Sequence, residues 1–172
     1  MIIHTQRLCL RPWSDADAPA LFELARDPRI GTLCGWKPFE CIDDAHEALS
    51  TVLAAPDSYA VTLGSTGEIV GSIALRIDTD SPEATVADIG YWIGAPYWGN
   101  GYATEAGNAI IDRARELGVQ MIVLKYFDGN DASRRVSEKL GFAWQSRDED
   151  VEYPLIGKRL TVHRTELVLA GH

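Results

Sequence analysis

The stretch from Val86 to Ala106 constrains the fold more than any other part of this 172-residue chain. A strand-like run, Val86 to Gly94, leads into Tyr97-Trp98-Gly99-Asn100-Gly101-Tyr102-Ala103-Thr104-Glu105-Ala106. The two glycines sit in a tight loop that opens directly onto a helical pattern. Strand, glycine loop and helix start together present free backbone N–H groups to an anion such as a phosphate. Glycine permits close approach of the ligand, and the helix dipole favours its negative charge.

Two familiar phosphate motifs fail on this loop. A Walker loop ends in Gly-Lys-Ser/Thr, whereas this one ends Gly101-Tyr102-Ala103-Thr104, so no lysine reaches a nucleotide phosphate. A dinucleotide fingerprint wants a third small residue where Thr104 stands, and it needs several successive βαβ units where this chain shows about one. On the strand before the loop, alternation places Asp88, Gly90 and Trp92 on one face and Ile89, Tyr91 and Ile93 on the other. A second segment, Gly129-Asn130-Asp131-Ala132-Ser133-Arg134-Arg135-Val136-Ser137-Glu138-Lys139-Leu140-Gly141-Phe142, repeats the strand-to-helix arrangement about thirty residues on. Asn130 is placed to cap that helix, to bond a ligand at the sheet edge, or to do both.

The remaining sequence reads as strands and helices in mixed order. Leu8 and Leu10 mark a first strand, ended by Pro12, and Ser14 caps a helix that carries Ala18, Leu21, Phe22 and Ala25. Residues 27–42, with Pro28, Gly31, Gly35 and Pro38, read as a loop. Its Leu33, Trp36 and Phe39 either plug the core or line a cleft, and Trp36 and Phe39 could equally mark a dimer contact. A helix is expected from Asp43 to Ala55, then a hairpin of Tyr59 to Leu63 and Ile69 to Ile77, and a long strand from Ala84 to Gly94. Ala103, Ala106, Ile110, Ala114 and Leu117 recur at helical spacing, with Gly118 as the stop. Met121 to Phe127 is a buried-type strand, Ala132, Val136 and Leu140 stripe a short helix, and Phe142 to Ser146 and Arg159 to Leu169 close the chain as strands. The order β-α-α-β-β-β-α-β-α-β-β implies an α+β fold in one domain: a mixed sheet flanked by helices.

Composition removes several classes. A net charge of −9 disfavours a non-specific nucleic-acid binder and suits either solubility or the steering of a cationic substrate. Three cysteines with no CxxC spacing imply no disulfide framework and fit a reducing, cytoplasmic setting. The four histidines are scattered, so no metal site is expected. The opening residues lack the apolar core of a signal peptide, and no apolar run is long enough to span a membrane.

Taken together, the two segments resemble the GNAT superfamily of acyl-CoA N-acyltransferases. That family's pyrophosphate loop, Arg/Gln-x-x-Gly-x-Gly/Ala, matches Trp98-Gly99-Asn100-Gly101-Tyr102-Ala103 here, with Trp98 where Arg or Gln is usual. The opening Arg7-Leu8-Cys9-Leu10-Arg11-Pro12-Trp13 is similar to the RimJ/RimL-type branch, the ribosomal-protein alanine N-acetyltransferases. So are Asp88-Ile89-Gly90-Tyr91-Trp92-Ile93 and Asn130-x-Ala132-Ser133-Arg134-x-x-x-Glu138-Lys139-Leu140-Gly141-Phe142. The resemblance spans roughly Thr5 to Leu169. It implies a GNAT-like fold: a twisted, mostly antiparallel sheet of about seven strands with a splayed parallel pair and about four helices.

The resemblance also implies a direct transfer of acetyl from acetyl-CoA to an amine. The pyrophosphate would lie on the backbone from Gly99 to Thr104, with Trp98, Asn100, Tyr102 and Ala103 in the same loop. The pantetheine arm would pair with the open backbone of Trp92 and Ile93, and Asn130 and Ser133 would close the other side. A backbone N–H near Ile93 would be the oxyanion donor. The base is Asp88, one methylene shorter than the Glu usual in the branch, or else bulk water. The acid is Ser133 or Tyr126. Glu105, which would repel a pyrophosphate, is expected to turn away from the loop.

The acceptor is a primary amine: a protein N-terminus, a polyamine or another small amine. The segments Gly31 to Cys41 and Asp148 to Lys158 are expected to shape its pocket, in a monomer or a homodimer. Two rivals stand beside this reading, a non-catalytic acyl-CoA-binding or partner-binding module and an NAD-binding domain that borrows the same loop.

Overall fold

The computed structural model describes residues 1–77 and 86–169. Eight strands form one sheet: β1 (Ile3–His4), β2 (Leu8–Pro12), β3 (Ser58–Leu63), β4 (Ile69–Ile77), β5 (Val86–Ile93), β6 (Met121–Phe127), β7 (Ala143–Tyr153) and β8 (Lys158–Val168). Their spatial order is β1-β2-β3-β4-β5-β6-β8-β7. Every neighbouring pair is antiparallel except β5 and β6. Among the described residues five α-helices accompany the sheet: α1 (Ala18–Ala25), α2 (Pro28–Cys34), α3 (Ile42–Ser50), α4 (Tyr102–Glu116) and α5 (Asp131–Lys139). The 15-residue α4 supplies the crossover that a parallel pair requires.

Two apolar clusters sit on opposite faces of the sheet. One holds Ile73, Ile89, Ile122 and Leu124 with Ala106, Ile110 and Ala114 of α4. The other gathers Ala18, Leu21 and Ala25 of α1 and Ala45 and Leu49 of α3, with Trp36, Phe39 and Trp92 against them. Each fully buried aliphatic side chain contributes about 1.5–3 kcal/mol relative to exposure, so these faces fix the register of the central strands. A one-residue slip of β5 would turn Ile89 to solvent and Asp88 into the core.

The parallel pairing of β5 with β6 runs from Val86↔Met121 to Ile89↔Leu124 and ends there. Beyond it Gly90 to Ile93 has no partner on that side, while β6 stays paired with β8 up to Phe127↔Val162. The two strands therefore part and leave a V-shaped opening, bounded by the start of α4 on one side and the start of α5 on the other.

Several expectations are corrected. Residues 27–42 are not all loop: Asp27 caps α2 by accepting from the Arg29 N–H at 2.9 Å, Pro28 occupies the first turn, and Gly35 ends the helix at φ 79°. The third helix stops at Ser50 rather than Ala55, because Thr51 leaves helical geometry at φ −120°, ψ −96°. The strand expected to end at Ser146 runs on to Tyr153 as β7, paired with β8 through register shifts that absorb its irregular spacing. The short β1 carries no alternation that a pattern could register. Of the expected strand Ala84 to Gly94, residues 84 and 85 lie outside the described residues.

Candidate active site

Backbone direction at the opening follows from register. The Gly94 N–H donates to the Val70 carbonyl at 2.8 Å, which makes these residues a hydrogen-bonded pair of the β4/β5 ladder. Such pairs alternate along an antiparallel ladder. With Gly71↔Ile93, Ser72↔Trp92 and Ile73↔Tyr91 in register, Trp92 spends its amide groups on β4. Tyr91 and Ile93 aim theirs into the opening. The expectation that the open backbone belongs to Trp92 and Ile93 is therefore corrected to Tyr91 and Ile93. Two contacts agree: the Trp98 indole Nε1–H donates to the Ile93 carbonyl at 2.6 Å, and the Cys34 thiol approaches the Tyr91 carbonyl at 4.0 Å.

The glycine loop reaches α4 through two left-handed residues, Gly99 at φ 80° and Gly101 at φ 79°. Gly101 is the N-cap and offers no side-chain acceptor, so the N–H groups of Tyr102, Ala103 and Thr104 have none within the helix. Nothing lies within 4 Å of where a Cβ on Gly99 would sit, so the loop surface is open to a ligand. Glu105 turns away from it. Its carboxylate accepts from the Thr5 hydroxyl at 2.6 Å, the Arg7 N–H at 2.8 Å and Arg7 Nε at 2.7 Å. Asn100 also faces away, with its side-chain amide on the Tyr97 and Trp98 carbonyls at 3.0 and 3.2 Å and its own carbonyl accepting from Arg7. It stiffens the loop instead of lining the cleft.

On the far wall, Asn130 caps α5: its Oδ1 accepts from the Ser133 N–H at 3.1 Å. The Ser133 hydroxyl meets the Tyr91 hydroxyl at 2.9 Å. Burial pushes the Tyr91 phenol up to about 12 and the neighbouring Cys34 thiol likewise up to about 12, so both are neutral near pH 7.

These elements enclose a cleft of about 340 Å³, within the range of small-ligand sites. It brings together Trp92, Ile93, Trp98, Gly99, Gly101, Tyr102, Ala103, Thr104, Asn130 and Ser133 of the expected site residues. It also includes Leu33, one of the apolar residues read as plug or cleft lining, and Tyr91, Cys34, Arg135 and Lys139, which sequence reasoning missed. The basic pair Arg135 and Lys139, four residues apart on α5, was visible as a one-face pattern. Tyr91 carried no such signal, because its neighbour Trp92 shares its aromatic character and only the register separates them.

Two expected residues stand elsewhere. Tyr126 is 8% exposed, and its ring stacks on His163 with centroids 5.1 Å apart. Strand alternation places it with Ile122 and Leu124 on the face of the main apolar cluster, outside the cleft lining. Asp88 lines a separate hollow on the sheet surface with Arg76, Lys125 and Arg164, and Arg76 Nη2 donates to its Oδ1 at 3.0 Å. The acceptor-side expectations resolve similarly. Trp36 and Phe39 pack with Trp92 in the second apolar cluster, whereas Tyr153 reaches Phe127, with ring centroids 4.8 Å apart, and abuts Gly35. Among the described residues no three His, Cys, Asp or Glu side chains cluster as metal ligands, and no helix is long and apolar enough to cross a membrane.

The mixed sheet that splays beside a glycine loop is the architecture that the sequence resemblance leads one to expect. Residues 7–143 match the family model of the acetyltransferase (GNAT) domain, and the chain belongs to that family. It is similar to the uncharacterized N-acetyltransferase YoaA of Bacillus subtilis, at 29% identity over 147 residues covering 82% of each chain. The microcin self-immunity acetyltransferase MccE, solved in complex with acetyl-CoA and AMP, shares the fold at a TM-score of 0.83 and 21% identity, over 96% of this chain and 94% of that one. So does an acetyltransferase from Salmonella typhimurium that modifies the N-terminal serine of a 50S ribosomal subunit protein, at a TM-score of 0.82 and 20% identity, over 99% and 100%. Family membership makes the chain an acetyltransferase-domain protein.

Proposed function

We propose that this protein transfers acetyl from acetyl-CoA to a primary amine by direct attack within a ternary complex. The observation that carries the reading is the β5 edge at Tyr91 and Ile93, which has no strand partner among the described residues and whose N–H groups are open, standing next to an uncapped helix start with two open glycines. Those residues fit the cofactor. The loop N–H groups suit a pyrophosphate, Arg135 and Lys139 supply cations at the same cleft, and the free strand edge suits an amide-bearing arm added as a strand would be. Acetyl-CoA brings an activated thioester. The chain's part is to align it with the amine, which supplies much of the rate, and to offer donors where negative charge develops. Ile93 N–H is assigned to the carbonyl oxygen and Ser133 to the leaving sulfur.

Asp88, which lies outside the cleft lining, is assigned as the base through a bridging water, with bulk water as the alternative acceptor. Its ion pair with Arg76 and its place in a separate hollow favour the second reading, a domain that binds acyl-CoA without turning it over. Asp88→Asn separates the two: a fall of about 10²-fold or more in turnover with unchanged acetyl-CoA affinity supports catalysis, and equal turnover removes Asp88 from the mechanism. The acceptor is a peptide N-terminus or a small amine. The Salmonella neighbour's acceptor is the reason to place N-terminal peptides first in a panel.

The reading is tested by melting the protein with acetyl-CoA and with NAD. A ligand at about a hundred times its dissociation constant adds about 2.7 kcal/mol, which for a chain of this size raises Tm by roughly 5–10 °C. A rise with acetyl-CoA alone is expected. No rise, or a rise with NAD, overturns the reading.

A further inference from the structure

Tyr91 and Ser133 come from different walls of the cleft, β5 and α5, and their hydroxyls meet at 2.9 Å. Neither side chain has another hydrogen-bond partner among the described residues. Ser133 does not cap its own helix: its N–H is held by Asn130 Oδ1, which leaves Oγ uncommitted. The polarity of the hydroxyl pair then follows. A phenol that accepted from Ser133 would leave its own proton in a largely buried spot without an acceptor, at a cost of about 1–3 kcal/mol. A phenol that donates has no such cost, and Ser133 keeps its single proton for the cleft. Burial holds the Tyr91 phenol up at about 12, so it stays a donor across the working pH range.

We infer that Tyr91 is a positioning residue, whose donated hydrogen bond turns the Ser133 proton toward the sulfur that leaves from acetyl-CoA. The inference rests on the acetyl-CoA reading above. It asks for no covalent change in the protein. Ser133 donates a hydrogen bond to the thiolate as the carbon–sulfur bond breaks, and the thiolate takes its proton from solvent on release. Stabilising the thiolate lowers the pKa of the bound thiol, because a hydrogen bond to the charged form favours that form.

The probe is coenzyme A itself, bound to the full chain. Its thiol is titrated by the ultraviolet absorbance of the thiolate in the wild type, Tyr91→Phe, Ser133→Ala and the double variant. The bound thiol is expected to titrate about one unit below free coenzyme A in the wild type. Each single variant should return it toward the free value, and the double variant should match either single one, as two members of one chain require. Coenzyme A affinity, followed by the rise in Tm, should change less than about threefold in Tyr91→Phe, which separates positioning from lost packing. If the wild type shows no rise in Tm with coenzyme A, the cofactor reading falls and takes this assignment with it. If coenzyme A binds but Tyr91→Phe leaves the thiol where it is, or the two variants add, Tyr91 has no such role. Should Tyr91→Phe fail to fold, Ser133→Ala still decides: an unmoved thiol overturns the proposal, and a thiol that moves to the free value supports it, with Tyr91→Trp reading the phenol's part.

Discussion

Single residues decide whether the cleft can hold an anion. Gly101 carries φ 79°, and among the described residues beyond its chain neighbours a Cβ built there would meet Arg7 Nη2 at 3.7 Å and nothing closer. Space is therefore not the obstacle to a larger residue; backbone conformation is. A β-branched side chain at positive φ costs about 1–3 kcal/mol unless the backbone rotates. Rotation would swing the Tyr102 and Ala103 N–H groups off the anion site. Gly101→Val is expected to fold, to lose a few degrees in Tm, and to lose the acetyl-CoA-dependent rise, read from paired melts. Gly71 differs in kind: a Cβ there would collide with the Trp92 carbonyl on β5. Gly71→Ala should cost about 1–3 kcal/mol by overpacking, measured by urea unfolding, with the strand that carries Tyr91 and Ile93 displaced. The positive-φ glycines of the loop were legible in the sequence because Gly-x-Gly before a helix has few other uses. The need for Gly71 was not, since it depends on a contact between strands that only register creates.

At the scale of elements, two contacts of α4 bear most directly on the site. The Glu105 carboxylate in its first turn binds Thr5 and Arg7, which fastens the β1–β2 turn to the helix start. Its pKa is lowered: burial pushes it up, but the hydrogen bonds from Thr5 and from the Arg7 backbone and side chain outweigh that. A carboxyl depressed in the folded state stabilises above its unfolded pKa, and that stability disappears as pH falls through the folded value. Stability should therefore drop below about pH 4.5. Glu105→Gln should cost about 1 kcal/mol at pH 7 after solvent screening and flatten the acid limb of a Tm-against-pH curve. A curve of unchanged shape would remove the tie. The second contact is with α5, where a Cβ on Gly107 would stand 2.6 Å from Leu140 Cδ1. Alanine would gain about 1 kcal/mol of helix propensity but lose about 1–3 kcal/mol by overpacking. Net destabilisation is expected for Gly107→Ala, with acetyl-CoA affinity reduced as Asn130 and Ser133 shift. Helices α4 and α5 were readable from periodicity and their closing glycines. The helix over residues 28–34 was not, because Pro28 and Gly31 spoil its pattern while Asp27 capping and burial of Ile30 sustain it.

For the whole molecule, charge sets two effects against each other. The chain carries −9 overall, yet its proposed ligand bears several phosphates. At long range the protein should repel that ligand. At short range Arg135, Lys139 and the start of α4 attract it. The Debye length decides which effect salt removes first: it is about 30 Å at ~0.01 M and about 10 Å at ~0.1 M. Between those concentrations salt screens mainly the distant acidic surface, and above them it screens the local cations as well. Acetyl-CoA affinity is thus expected to hold or rise slightly up to about 0.1 M salt and to fall beyond it. In Arg135→Ala/Lys139→Ala the local attraction is weakened while the net charge becomes more negative. That variant should bind about 10-fold or more weaker at ~0.1 M, from the loss of two charge-assisted contacts, and its affinity should increase with salt over the whole range. Isothermal titration of both proteins at four salt concentrations checks this. Parallel salt curves for the two would place the phosphates away from α5, and with them the cleft's claim to hold the cofactor in the orientation argued above.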